Sequence, residues 1–296
     1  MSTGRVHFAC TRCGACCNRA PEIELGEAGQ LAETFVLRLM FRVYSLPVHF
    51  ATYLASRPGQ RAPSSAEFYQ IKQKLKAFSV SSWTSRRRED HSAVEYSEFL
   101  VISALAFDPG LGACPQLNDQ GCGIHARRPL SCRTVPFHYS RPEATALREL
   151  VEFVSRPGYA CDSSANAAVV LVDGKITDPQ ILADRAAALN CAAVDRRWKN
   201  EIVRRMKAGN LTGLPTMADV KSAAGRGALT TSMRIAWQIA CEAGLLNRQD
   251  YRNLIVRQLD AIDRQLETGL PADEAAETLI EMRREHAAAL AAPPIQ

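Results

Sequence analysis

The period of the apolar positions changes several times along the chain. Glu22-Ile23-Glu24-Leu25 alternates as a short strand does, and after Gly26 the residues Leu31, Phe35 and Leu39 recur at helical spacing, which predicts a helix over about 27–43. Residues 57–66, rich in Pro, Gly and Ser, read as a loop, and 68–78 as a short amphipathic helix. The segment 81–90 has no apolar period, and its run Arg86, Arg87, Arg88 reads as a solvated surface turn. β-Branched and aromatic residues over 96–107 predict a strand that Asp108-Pro109-Gly110 ends. A short helix over 143–155 and a tight hairpin over 168–176, turning at Asp173-Gly174, follow.

Beyond residue 178 the pattern is helical, with readable start and stop signals. Asp178-Pro179 opens a helix to about 207, Thr216 opens one stopped near Gly225, and 229–243 forms a third stopped at Gly244. Asn247 caps a fourth, with Tyr251, Leu254, Ile255, Leu259, Ile262 and Leu266 on one stripe, and Pro271 opens the last. The fold expected is α+β, mainly α: an irregular cysteine-rich region with short strands over 1–176, holding an insertion at about 45–95, and a helical C-terminal domain over 177–296.

Composition adds little until the cysteines are located. With 296 residues, 47% of them hydrophobic, the chain can bury a sizeable core, which excludes disordered and fibrous classes. The longest uncharged stretch, Val43 to Ser56, contains Pro47 and His49 and is too short and polar to span a bilayer. Arg5 and His7 stand where a secretory signal needs an apolar run, so the expectation is a soluble cytoplasmic protein whose thiols stay reduced. The ten cysteines are unevenly placed, four of them within residues 10–17. Residues 1–148 carry 18 basic and 12 acidic side chains, whereas 149–296 carry 18 and 19. The basic half is therefore the cysteine half. No basic tract with interleaved aromatics marks a nucleic-acid surface, and arginines such as Arg12, Arg19, Arg127, Arg128 and Arg133 suit compensation of thiolate charge better.

The first motif is Cys10-Thr-Arg-Cys13-Gly-Ala-Cys16-Cys17. Two-residue spacers return successive thiols to one side of a tight loop, and Gly14 permits the positive φ this needs. The array is like the opening run of bacterial ferredoxins, with Cys114-Pro115 as a remote fourth ligand. Cys122 and Cys132 follow Cys114 on loop-like sequence, flanked by Arg128, Pro129 and Arg133, and Cys161 sits on a further turn. The candidate metal ligands are thus Cys10, Cys13, Cys16, Cys17, Cys114, Cys122, Cys132 and Cys161, enough for two four-ligand sites or for one cluster plus spare reactive thiols. His7, His125 and His138 lie near them in sequence, but an ordinary surface or core role is the commoner one for histidine. Cys191 and Cys241 occupy apolar helical contexts and read as packing residues. No general acid, base or nucleophile can be assigned.

Cys10, Cys13, Gly14, Cys16 and Cys17, with Cys114-Pro115-x-Leu117, Cys122-x-Ile124 and Arg128-Pro129-x-x-Cys132-Arg133-x-x-Pro136, resemble the YkgJ-type cysteine-cluster family, a zinc- or iron-chelating domain. His125 and Val135 depart from its usual aromatic residues. The resemblance covers about 7–45 and 95–162 and implies a metal-binding function. A more distant similarity is to the flagellin lysine methylases, which implies S-adenosylmethionine and a protein substrate, although no glycine-rich nucleotide fingerprint is visible. The first expectation is a protein holding an iron–sulfur cluster of the 4Fe–4S kind, or zinc, with a redox partner or protein substrate. The alternatives are an S-adenosylmethionine-dependent protein lysine methyltransferase and a metallochaperone or metal sensor.

Overall fold

The computed structural model describes residues 4–56, 63–89, 92–269 and 273–292. About 49% of the chain is helix and 20% strand, an α+β fold with helices dominating. The first half holds β1 (Arg5–His7), β2 (Glu22–Ile23), α1 (Leu25–Leu31), β3 (Leu37–Pro47), α2 (Phe50–Ala55), α3 (Ser65–Phe78), β4 (Ser81–Glu89) and β5 (Ser92–Ala106). Next come β6 (Leu117–Asn118), β7 (Gly121–Cys122), α4 (Leu130–Arg133), α5 (Ala146–Val154), β8 (Val169–Val172) and β9 (Lys175–Ile176). The remainder is α6 (Pro179–Ala208), α7 (Met217–Ala223), β10 (Ala228–Ser232), α8 (Met233–Glu242), α9 (Arg248–Glu267) and α10 (Asp273–Ala291). Among the described residues no helix is long and apolar enough to cross a membrane.

The main sheet has the order β10-β3-β5-β2, with β4 also paired to the long β5. Alternation along β3 and β5 gives it two different faces. Leu37, Leu39 and Phe41 lie beside Ala106, Ala104 and Ile102 and, with α6, α8 and α9, close the largest core. Fully buried Trp237 and Ile255 belong to that core, and Trp198 packs against it while its indole N–H donates to the Ala236 carbonyl at 2.8 Å. The opposite face presents Arg42, Tyr44, Val101 and Ser103 to a cleft. A second sheet, β1-β8-β9, turns at Asp173 (φ 52°) and Gly174 (φ 78°), the left-handed pair expected of an Asp-Gly hairpin.

Three local expectations are corrected. The helix over 27–43 ends at Leu31, and 37–47 is strand, because burying every second residue of β3 against the core outweighs the helical spacing of Leu31, Phe35 and Leu39. Residues 81–89 form a strand rather than a solvated turn. Arg87 there reaches inward, its guanidinium 2.5 Å from the fully buried Glu98 carboxylate, which also accepts from Ser45. Residues 228–232 are strand, with the helix starting only at Met233; Thr230 and Thr231 suit the edge pairing with β3. This pairing carries the chain back across the expected boundary at 176/177, and the largest core draws residues from both sides of it. The expected helix start at Pro271 lies outside the described residues.

Candidate metal centre

Two backbone tethers position the cysteines. Beyond β1, Ala9 and Asp162 exchange hydrogen bonds of 2.8 and 3.1 Å, and the Thr11 hydroxyl donates to the Ala160 carbonyl at 2.8 Å. Cys10 and Cys161 are therefore neighbours although 150 residues separate them. The second tether runs from the Cys114 N–H to the Cys17 carbonyl at 2.7 Å. It holds the end of the first motif against the β6–β7 hairpin, which carries Cys122 opposite Leu117. Two glycines make this approach possible. Gly14 has φ 77°, and a Cβ on Gly121 (φ 97°) would stand 2.6 Å from the Arg12 carbonyl oxygen. Cys132 is carried by α4, whose backbone is anchored by Leu130 N–H donating to Glu27 at 2.9 Å.

All eight candidate cysteines line one cleft of about 1180 Å³, and Cys191 and Cys241 do not. Every cysteine is a free thiol; Cys10, Cys13 and Cys16 are exposed, and Cys114 is buried. Their mutual electrostatics follow the two tethers. Cys161 feels Cys13, Cys10 and Cys16, while Cys17 feels Cys16, Cys114 and Cys122. The Cys17 thiol donates to Cys16, which, with help from the Arg128 guanidinium and against burial, brings Cys16 down to about 6 and raises Cys17. Backbone N–H donors lower Cys13, and burial pushes Cys132 up to about 12. As placed, no three His, Cys, Asp or Glu side chains among the described residues stand close enough together to hold a metal ion. The donor set nevertheless suits a thiophilic metal or iron–sulfur cluster: eight free thiols along one cleft, with arginines beside them.

The histidines are ordinary in surroundings. His7 Nδ1 bonds the Ala167 carbonyl, and His125 Nε2 faces Arg128 at 2.9 Å. His138 pairs with Ser140, and burial lowers it to about 4. Sequence reasoning missed a buried polar network beneath the cleft. Lys199 Nζ lies 2.5 Å from Glu24, which accepts from the Tyr139 hydroxyl at 2.6 Å, and Asp195 accepts from the Gly26 N–H at 3.0 Å. Burial pushes Glu27 up to about 7 and Asp195 to about 6. No motif marks these residues, because they meet through the packing of α1 against α6 and of the stretch after α4, which carries Tyr139, against Glu24.

No family model matches the chain, nor does any curated protein or solved structure. The metal reading therefore stands on these residues alone.

Proposed function

We propose that the protein binds a metal centre through its clustered cysteines, as a 4Fe–4S cluster in preference to zinc. The observation that carries this is selective convergence: the eight cysteines between residues 10 and 161 line one cleft, and Cys191 and Cys241 do not. The tethers favour a division into Cys10, Cys13, Cys16 and Cys161 on one side and Cys17, Cys114, Cys122 and Cys132 on the other. Closing either set on a metal requires the 10–17 loop to draw inward, which its exposed thiols permit. The C-x2-C-x2-C spacing of Cys10, Cys13 and Cys16 favours iron–sulfur, with Cys161 standing where the sequence pattern pointed to Cys114. When bound, such a cluster supplies reversible electron transfer or Lewis acidity. Arg128, which already stabilises the Cys16 thiolate, offsets its negative charge.

Single Cys→Ser changes at Cys16, Cys114 and Cys161 in anaerobically purified protein test the assignment. Each is expected to lower bound metal, with Cys191→Ser and Cys241→Ser unchanged; the reverse pattern overturns it. The exposure of Cys10, Cys13 and Cys16 favours a second reading, a metal carrier or sensor. Rapid loss of metal to a chelator would distinguish a carrier from a retained centre.

A further inference from the structure

The cleft is larger than a cysteine site needs, and its far part is built differently. From the thiols it runs over the floor of the main sheet, past Arg42, Tyr44 and Ser103, to an apolar wall of Leu46, Tyr53, Ile71, Leu75 and Phe78. Its volume of about 1180 Å³ matches or exceeds the roughly 300–1,000 Å³ of small-molecule sites. Among the described residues, four buried side-chain atoms that line the cleft have no hydrogen-bond partner, and all can donate: Ser103 Oγ and the Nε of Arg128, Arg133 and Arg148. Buried donors of this kind call for acceptors. Arg128 and Arg133 flank Cys132 and Ser103 lies on the floor of the sheet, but Arg148, which faces Glu67 on α3, belongs to the far part. Ser103 is 6% exposed, and among the described residues the ion pair of Arg148, to Glu67, is long at 3.8 Å, with the Glu149 carboxylate acting on it only through its charge. The carboxylates there are engaged or outward: Glu22 pairs with Arg42, Glu149 accepts from Thr145 at 2.6 Å, and Glu152 is exposed.

We propose that this far chamber binds an organic acid, its carboxylate on Arg148 and its apolar body along the α3 wall beside the cysteine site. The chamber needs no metal for this, so the inference stands apart from the metal reading. Calorimetric titration of the full chain with octanoate, octanol and acetate tests it, with metal content measured on the same samples. Saturable octanoate binding is expected, with octanol at least about tenfold weaker, since a charge-assisted hydrogen bond is worth about that factor or more, and acetate at least about tenfold weaker for want of the apolar chain. Arg148→Gln should bring octanoate down to the level of octanol, whereas Arg148→Lys, which keeps the charge, should retain most of the affinity. Octanoate binding no tighter than octanol, no saturable octanoate binding, or binding unchanged in Arg148→Gln overturns the proposal. A chain that binds octanoate but no metal would uphold it while removing the metal reading.

Discussion

Glu27 shows how a single side chain beneath the cleft couples stability to pH. One of its oxygens accepts from Leu130 N–H and the other is buried with no partner among the described residues, so burial raises it from an ordinary 4.5 to about 7 against the pull of Arg133. A carboxyl raised on folding favours the folded state below its unfolded value, and that contribution is lost as pH rises through the folded value. Between roughly pH 4.5 and 7 Glu27 therefore withdraws stability. Glu27→Gln keeps an acceptor for Leu130 N–H and removes the ionisation. It should be more stable than the parent at pH 8 by on the order of 2 kcal/mol, with the difference gone near pH 4.5. Urea titrations at both pH values check this; a variant less stable at pH 8 would contradict it. None of this was legible in sequence, since Leu130 lies 103 residues from Glu27 and nothing local marks the pair.

At the level of elements, the readable parts were those fixed by local chemistry. The Asp173-Gly174 hairpin, the Asp178 and Asn247 caps, and the Thr216 capping box all stand where turn and cap residues put them. What sequence missed was decided by distant partners. β3 is strand because β5 and β10 flank it, and β4 is strand because Glu98 gives Arg87 a buried partner. The cysteine set was legible from spacing, but its tethers, Ala9 to Asp162 and Cys114 to Cys17, were not. The β6–β7 hairpin offers the test at this scale. A methyl group at Gly121 would collide with the Arg12 backbone and force a left-handed φ on a residue with a Cβ. Gly121→Ala should destabilise the protein by about 1–3 kcal/mol and lower bound metal, measured by urea midpoint and metal content. An unchanged midpoint would show that the hairpin does not brace the 10–17 loop.

Across the whole molecule, the helical C-terminal stretch and the cysteine-bearing half are stitched together. Gln258 on α9 is fully buried, accepts from Leu37 N–H at 2.8 Å and donates to the Phe35 carbonyl at 2.8 Å. With β10 in the main sheet and one core spanning both halves, unfolding in urea should be a single transition, coincident by tryptophan fluorescence and far-ultraviolet circular dichroism. Two separated transitions would mean the halves fold independently. The cleft opens on the other face of the same sheet, so the framework that buries Trp237 also carries the cysteine site.

The most direct test of the account is the content of iron, zinc and acid-labile sulfide in anaerobically purified full chain, read with its visible and electron paramagnetic resonance spectra. Iron and sulfide are expected in equal amounts with broad visible absorbance, lost when the cleft cysteines are replaced. Stoichiometric zinc without sulfide would contradict the iron–sulfur assignment, and a chain that holds neither metal would contradict the metal centre itself.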